Sequence, residues 1–238
     1  MGWEFEDRAS EAPHIDRVWR CRSSGVAEMT SLATAHWTFV VWEEARAVHA
    51  AVQGPESRAG RAPVPCDAEF LGIRFALGTS LRTVPMHRLV DGHVPLGEVT
   101  RQSFLLAGHR RPLPGYDNAE DLVASLTADQ VLVGDPVVDR TLAGRSVDLT
   151  PRSVRRHFLA STGLTPRSVG RIERARSAAS LLQAGTPIPE VVHALGYYDH
   201  PHLARSLGRF VGATASGLRL RASGPLSFLY KPQAGPAS

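Results

Sequence analysis

Arginine side chains cluster at the start of two predicted helices in the C-terminal half of the chain. One set follows Thr150 and the other follows Asp199. A guanidinium group can donate two parallel hydrogen bonds to the O6 and N7 atoms of guanine, or it can bind phosphate. These residue types therefore point to contact with a nucleic acid. The candidate residues are Pro151, Arg152, Ser153, Arg155 and Arg156 in the first set, and His200, Pro201, His202, Arg205 and Arg209 in the second.

The positive charge of the chain is concentrated in the same region. The net charge of the 238 residues is +4, and residues 1–117 hold 13 Arg against 14 Asp and Glu. Residues 150–221 hold 11 Arg against 3 acidic residues, a local charge of +8. A GC-rich genome would explain why Lys231 is the single lysine, but not why the arginines gather in one segment. We interpret the segment as the electrostatic footprint of a polyanion-binding surface.

The elements that position these residues are predicted from helix start and stop signals. Capping residues followed by proline recur at Asp135-Pro136, Thr150-Pro151, Thr165-Pro166 and Thr186-Pro187, and glycines stop the helices at 163, 185, 196 and 212. These signals predict helices over about 118–126, 136–143, 151–160, 166–184, 187–195 and 200–210.

Two pairs of these helices have the pattern of a helix-turn-helix motif, with an apolar inner face and polar residues at the start of the second helix. The predicted inner faces are Val137, Val138, Leu142, Val154, Phe158 and Leu159 in the first pair, and Ile188, Val191, Val192, Leu195, Leu203, Leu207 and Phe210 in the second.

The helix between the two pairs has an apolar stripe of Val169, Ile172, Ala175 and Ala179. About 20 residues give a rod of roughly 30 Å, and successive major-groove segments on one face of DNA lie roughly 34 Å apart. One chain could therefore place both second helices in adjacent segments. Whether Arg171, Arg174 and Arg176 on this helix contact DNA or serve as solubilising charge is left open by the sequence.

These motifs closely resemble the DNA-binding domain of AraC/XylS-type transcription regulators. The resemblance covers about 90 residues and is carried by residues 148–158, 162–166, 171–176, 181–182, 196–207 and 209–212. It implies two helix-turn-helix subdomains joined by a helix, and a base contact at the position of Arg205. The chain departs from the family's pattern after Gly212, where a proline and a Tyr-Arg pair are usual. It also has Gly208 where the family often carries a basic residue.

Residues 16–110 have a different pattern, with short apolar runs separated by glycine and proline. Examples are residues 37–42 and 70–75, divided by Gly54-Pro55 and Pro63-Val64-Pro65. This pattern predicts a small β-sandwich or barrel. Residues 53–58, 70–75 and Gly78 resemble the cupin-like sensor domains of actinobacterial AraC-type proteins, which implies a β domain that holds an effector or supports a dimer. The candidate effector-binding residues are the aromatics Trp37, Phe39, Trp42, Phe70 and Phe75, which would also serve as core.

The predicted fold class is α+β: a small cupin-like β-sandwich or barrel followed by an all-α domain. The predicted domains are 1–115 for sensing and dimerisation, 116–222 for DNA binding, and a flexible tail at 223–238. We expect a sequence-specific transcription regulator, not an enzyme, that requires no cofactor and acts as a homodimer in the cytoplasm. The expected partners are promoter or operator DNA, a small-molecule effector and RNA polymerase.

Two alternatives remain at this stage. The first is a metal-dependent cupin-type enzyme with an appended DNA-binding domain, suggested by His14, His36, His49, His87, His93, His109 and Cys66. No pair of these has metal-ligand spacing, so no metal site is predicted. The second is a non-specific nucleoid-type DNA binder, against which the paired motifs argue.

Other features exclude several classes of protein. No run approaches the ~18 apolar residues of a membrane helix, and the acidic start Glu4-Phe5-Glu6-Asp7 is unlike a signal peptide. Cys21 and Cys66 are too few for a disulfide scaffold. Lone cysteines could sense redox state, but are more often buried apolar groups.

Overall fold

A computed structural model describes residues 2–24, 28–65 and 67–220 of the chain. The predicted tail at 223–238, the end of the predicted DNA-binding domain at 222, and Cys66 lie outside these residues. The described chain forms two compact units. The described residues of the first unit fall within Met1–Ala27, His36–Pro55 and Pro65–Thr165. The described residues of the second unit fall within Glu28–Ala35, Glu56–Val64 and Pro166–Ser238.

The N-terminal region is rich in strands, as predicted. In chain order they are β1 (Gly2–Arg8), β2 (Ile15–Ser24), β3 (Glu28–Ser31), β4 (Thr38–Glu44), β5 (Ala47–Gln53), β6 (Gly60–Pro63), β7 (Glu69–Phe75), β8 (Thr79–Leu81), β9 (His93–Pro95), β10 (Ser103–Leu106), β11 (His109–Pro112) and β12 (Leu132–Gly134). The predicted apolar runs at 37–42 and 70–75 correspond to β4 and β7.

The C-terminal region is helical, as predicted. In chain order the helices are α1 (Met86–Leu89), which lies among the N-terminal strands, and then α2 (Ala119–Ala128), α3 (Pro136–Leu142), α4 (Pro151–Thr162), α5 (Pro166–Gln183), α6 (Ile188–Ala194), α7 (His200–Phe210) and α8 (Ala215–Leu220). Helices α1 and α8 were not predicted from the sequence, and Leu218 of α8 is fully buried. No helix in the described part of the chain is both long and apolar enough to cross a membrane.

The main sheet of the first unit has six antiparallel strands in the order β1-β2-β7-β4-β5-β9. Central strand β7 pairs with β2 on one side and with β4 on the other. Among the described residues the edge strands β1 and β9 do not pair with each other, so the sheet is open. The barrel alternative of the sequence analysis is therefore wrong.

The core of the first unit lies on one face of this sheet. Val18, Phe39 and Ile73 point into it and are at most 2% exposed. Residues of α1, α2, β10 and β12 complete the same cluster. On β7, a Cβ at Gly72 would lie 2.1 Å from the indole ring of Trp19, so only glycine lets that indole cross the strand.

The second unit combines α5 to α8 with two short segments from the N-terminal half of the chain. Strands β3 and β6 pair antiparallel from Glu28↔Pro63 to Ser31↔Gly60, and we call this pair the ribbon. Beyond it, Thr34 and Glu56 form an isolated bridge. The buried carboxylate of Glu56 accepts a hydrogen bond from the hydroxyl of Ser31.

Residues that flank the ribbon make backbone hydrogen bonds to the end of α7. The amides of Ala33 and Ala59 donate to the carbonyl oxygens of Phe210 and Arg209. The predicted domain division near residue 115 follows the change in sequence pattern and stays a prediction. The two compact units divide the chain at other positions.

Candidate nucleic-acid interface

The first helix-turn-helix candidate is formed by α3 and α4 in the first unit. Asp135 caps α3, since its Oδ1 accepts from the amides of Val137 at 2.9 Å and Val138 at 3.4 Å. Its Oδ2 lies 2.8 Å from Nδ1 of His157 on α4. One carboxylate therefore both starts α3 and connects it to α4. The sequence analysis identified the cap but missed the contact with His157, which lies 22 residues away.

Helix α4 begins and ends as its sequence signals predict. The Thr150 hydroxyl accepts a 3.2 Å hydrogen bond from the amide of Ser153, and Pro151 occupies the first turn. At the other end Gly163 has φ of +69°, a left-handed conformation that favours glycine. Phe158 is buried and anchors the helix.

The inner face of the first candidate is smaller than predicted. Val138 and Phe158 are buried, but Leu142 is 46% exposed, and Val154 and Leu159 are only half-buried. The prediction that Leu142 packs inward is wrong, because Leu142 is the last residue of α3 and nearly half of its surface is exposed.

The outer face of α4 carries the predicted binding residues. Pro151, Arg152, Arg155 and Arg156 are exposed, whereas Ser153 is half-buried, with its hydroxyl 3.1 Å from that of Thr150. Within the described residues these three arginines form no ion pair, so their donors are free to meet a ligand.

The second candidate is formed by α6 and α7 in the second unit. Asp199 caps α7 with a 2.6 Å hydrogen bond from the amide of His202. Leu203, Leu207 and Phe210 are buried, as predicted. In the turn, Gly196 has φ of +64°. The phenolic oxygen of the buried Tyr197 lies 3.1 Å from the hydroxyl of Ser206 on α7, which connects the turn to the helix.

The outer face of α7 carries the second set of predicted residues. His200, Pro201, Arg205 and Arg209 are exposed and His202 is half-buried. The guanidinium of Arg209 lies 5.4 Å from the ring centroid of Phe210. Arg205 forms no ion pair in the part of the chain that the structure describes. Its position in the second turn of α7 suits contact with a groove.

Helix α5 has 18 residues, which corresponds to about 27 Å. Its predicted apolar stripe, Val169, Ile172, Ala175 and Ala179, is buried. Its arginines differ in their surroundings. Arg176 donates a 3.0 Å hydrogen bond to the carbonyl oxygen of Ala33, so it binds the N-terminal segment of its own unit. Arg171 and Arg174 instead lie over the rings of Phe210 and Tyr197.

The predicted effector-binding aromatics do not line one cavity. Trp37 and Phe75 stack with ring centroids 3.8 Å apart inside the core, and Phe39 packs at 5.0 Å from Phe104. Trp42 stacks on His49. Of the five, Phe70 alone lines the cavity of the first unit.

That cavity has a volume of about 1110 Å³. Its apolar part includes Val41, Val48 and Leu71 on the sheet. Ion pairs border it, among them Arg20 with Glu6 at 2.6 Å. The complete lining is Glu4, Phe5, Glu6, Arg20, Cys21, Arg22, Val41, Glu43, Val48, Glu69, Phe70, Leu71, Arg101, Leu113, Pro114, Gly115 and Tyr116.

The histidines do not gather into a metal site in the described structure, where no group of three or more His, Cys, Asp or Glu side chains could hold an ion. Nδ1 of His14 lies 3.3 Å from the hydroxyl of Thr79. Nδ1 of His36 lies 2.7 Å from the carbonyl oxygen of Phe75. Each of these rings has a structural partner.

Comparison with known proteins agrees with the geometry of the helical region. A family described as "Helix-turn-helix domain" matches residues 144–221. This match supports DNA binding in transcription regulation of the AraC type. It covers α4 to α8 but not α3, so the first of the two motifs is covered only in part. A search of curated proteins and a search of solved structures each found no match.

Proposed function

We propose that this protein is a sequence-specific transcription regulator of AraC/XylS type that reads DNA with two helices, α4 and α7. The observation that carries the proposal is that both helices are capped at the start, anchored by buried apolar residues, and lined on the outside by arginines that form no ion pair with any described residue. A helix of this kind enters the major groove with its N-terminal residues against the base edges.

The residues proposed to contact DNA are those that the outer faces present. On α4 they are Pro151, Arg152, Ser153, Arg155 and Arg156, and on α7 they are His200, Pro201, His202, Arg205 and Arg209. Arg152, Arg155, Arg156 and Arg205 are the strongest candidates, because arginine can read guanine bidentately and these four have no competing ion pair among the described residues.

The experiment that tests the function is selection of bound fragments from genomic DNA by the purified chain. Each selected fragment is then compared with its shuffled sequence at fixed salt. A sequence-specific regulator binds the selected fragment at least about 10³-fold more tightly. Equal affinity for the two sequences, with a steep dependence on salt, would indicate a non-specific DNA binder and overturn the proposal.

We also propose that the 1110 Å³ cavity of the first unit binds a small-molecule effector. Cavities of about this volume hold drug-sized ligands, and the apolar sheet residues bordered by charged side chains suit an amphipathic molecule. The full chain is screened for ligand-dependent rises in melting temperature. A Val48→Trp variant, which fills the cavity, should lose such a shift, while Val94→Trp on the exposed edge strand β9 should keep it.

Finally, we propose that the protein binds DNA as a homodimer and contacts RNA polymerase. Two-fold symmetry doubles the number of bases read and is common among helix-turn-helix proteins. Sedimentation of the full chain with and without a selected fragment tests the dimer. A fragment limited to the predicted domain 1–115 would not suit this experiment. It would lack residues 116–165 of the first unit and would separate residues 28–35 and 56–64 from the rest of the second unit.

A further inference from the structure

A positively charged cleft lies between α5 and α7 in the second unit. It has a volume of about 470 Å³ and is lined by Arg167, Gly170, Arg171, Arg174 and His202. No carboxylate is among these lining residues. The cleft is therefore a concave surface made almost entirely of hydrogen-bond donors.

The three arginines lie on one face of α5. Positions 167, 171 and 174 are spaced i, i+4 and i+7, which places their side chains on the same side of a helix. Like charges at these spacings repel each other. No acidic side chain lines the cleft to reduce this repulsion. A negatively charged ligand would therefore be attracted to the site.

Aromatic rings, not carboxylates, hold two of these guanidinium groups in place. Arg174 lies 4.6 Å from the ring centroid of Tyr197 and donates a long hydrogen bond of 3.5 Å to the Gly196 carbonyl oxygen. Arg171 lies 5.3 Å from the ring centroid of Phe210. Each guanidinium has five N–H donors. The aromatic contacts orient the two groups. Neither group forms an ion pair with a described residue, and most of their donors are available.

The tautomer of His202 is fixed in a form that adds a donor. Its Nδ1 accepts a 3.3 Å hydrogen bond from the backbone amide of Tyr198. A backbone N–H group can only donate a hydrogen bond, so Nδ1 is the acceptor and carries no proton in this arrangement. The neutral ring then carries its proton on Nε2, which acts as a hydrogen-bond donor.

Gly170 leaves the middle of the cleft open. It lies within α5, where glycine is less favourable than alanine. A Cβ at this position would meet no atom within 4 Å, so no packing requires the glycine. Glycine does allow a ligand to approach the helix backbone closely.

We propose that this cleft binds a phosphate of the DNA backbone next to the groove read by α7. The proposal rests on the proposed function, because His202 belongs both to the cleft and to the outer face of α7. The site fixes the position of the second helix-turn-helix on the duplex and carries no sequence information. Arg167, which the sequence analysis did not single out, is part of this site.

The test compares binding of full-length variants to a selected genomic fragment and to its shuffled sequence over a range of salt. Gly170→Glu introduces a carboxylate into the cleft, and Gly170→Gln introduces a neutral side chain of the same size. We expect Gly170→Glu to bind both DNAs about tenfold more weakly than Gly170→Gln.

Arg167→Gln removes one charge from an exposed side chain. We expect the slope of log K against log salt to fall by about 0.9. From about 50 mM to about 200 mM salt, the wild type then loses about three- to fourfold more affinity than the variant. The matched control is Arg61→Gln, which removes a charge from the ribbon, where Arg61 is paired with Glu28. Its slope should equal that of the wild type.

Each outcome separates the two proposals. If the wild type prefers the selected fragment but Arg167→Gln and Gly170→Glu leave affinity and salt slope unchanged, the cleft proposal is overturned and the proposed function stands. If these variants lose the preference itself, the cleft reads bases and the backbone-phosphate assignment is overturned. If the wild type shows no preference, the proposed function fails, and the salt slopes on the same DNA still decide whether the cleft binds phosphate.

Circular dichroism melting confirms that each variant is folded. Should Gly170→Glu fail to fold, the exposed Arg167→Gln variant decides the question. Equally tight binding of the wild type to single-stranded RNA, lost in Arg167→Gln, would assign the cleft to RNA and overturn the assignment to DNA.

Discussion

The backbone amide of Ala33 donates a 2.8 Å hydrogen bond to the carbonyl oxygen of Phe210, the last residue of α7. A parallel contact at 2.9 Å joins the amide of Ala59 to the carbonyl oxygen of Arg209. The final carbonyls of a helix have no partner within the helix itself. Segments from the N-terminal half of the chain therefore complete the end of the helix that we propose reads DNA.

A substitution at Gly212 tests how closely the ribbon and its flanking residues pack against the end of α7. Its φ is +71°, and an added Cβ would lie 3.0 Å from Cγ2 of Thr30 and 3.2 Å from Cβ of Ala59. We expect Gly212→Ala to lower the free energy of unfolding by about 1–2 kcal/mol, because the left-handed conformation and the close contacts both disfavour a side chain. Urea denaturation measures the change.

The matched control for Gly212→Ala is Gly208→Ala. Gly208 lies inside α7, where an added Cβ would meet nothing within 4 Å. Alanine there should raise the free energy of unfolding by about 0.5–1 kcal/mol. Similar effects of the two substitutions would contradict a packed ribbon at Gly212.

Arg205 on α7 is expected to read a base. Arg205→Ala should cost about 1–3 kcal/mol of binding free energy on the selected fragment and much less on the shuffled one. The side chain is exposed, so folding should be unaffected. Electrophoretic or fluorescence titrations of both DNAs at one salt concentration measure the difference. Equal weakening on both sequences would show that Arg205 binds phosphate only.

Asp135 caps α3 and contacts His157 on α4, and substitutions can separate these two roles. Asparagine retains a capping oxygen for the amides of Val137 and Val138 but loses the charge that faces His157. We expect Asp135→Ala to destabilise the protein by about 1–2 kcal/mol and Asp135→Asn by less than about 1 kcal/mol. Chemical denaturation at neutral pH compares them. If the asparagine variant were as unstable as the alanine variant, the cap would not be the main contribution.

The contact between Arg8 on β1 and Glu120 on α2 makes the free energy of unfolding depend on pH. Hydrogen bonds from Arg8 lower the pKa of Glu120 from 4.5 to about 2. Because the folded-state pKa is the lower one, the stabilisation is complete above about pH 4.5 and is lost as the pH falls towards 2. Both side chains are about a third exposed, so solvent screening limits the contribution to about 1 kcal/mol.

The Glu120→Gln variant tests the contact between Arg8 and Glu120, because glutamine removes the charge and keeps the size of the side chain. The difference in melting temperature between wild type and variant should be largest near neutral pH and should shrink on acidification below pH 4. High salt should reduce it as well. A difference that stays constant across this range would mean that Glu120 acts through packing and not through its charge.

Cys21 is expected to be chemically inert in the folded protein. It is 5% exposed, and burial raises the pKa of its thiol to about 12. Thiolate is the reactive form, so alkylation mapped by mass spectrometry should leave Cys21 unmodified at pH 8 and modify it in urea. Rapid modification of the folded protein at this residue would revive the redox-sensor alternative.

Local sequence signals were sufficient to predict where most helices of the candidate interface begin and end. Asp135, Thr150 and Asp199 cap their helices as predicted, because a cap depends only on residues two or three positions away. Gly163 and Gly212 follow helix ends with positive φ, also a local property. The outward position of the arginines on α4 and α7 followed from helical spacing in the same way.

Contacts between distant segments were not predictable from these signals. The sequence could not distinguish Arg176, which binds the Ala33 carbonyl, from Arg174, which faces the cleft, because both have the same helical setting. It offered both an effector site and the core for Trp37 and Phe75, and their stacked rings lie in the core. Periodicity shows which side chains are apolar but not which cavity remains after packing.

The ribbon has a consequence for the order in which the protein folds during synthesis. Its strands, Glu28–Ser31 and Gly60–Pro63, leave the ribosome before α7, whose last residue Phe210 follows Pro63 by almost 150 residues. At about 5–20 residues per second, that interval is on the order of ten seconds. Until then the short ribbon presents unpaired backbone groups of the kind that promote association between chains. The C-terminal end of α7 can gain these hydrogen-bond partners only after the residues between the ribbon and α7 have been synthesised.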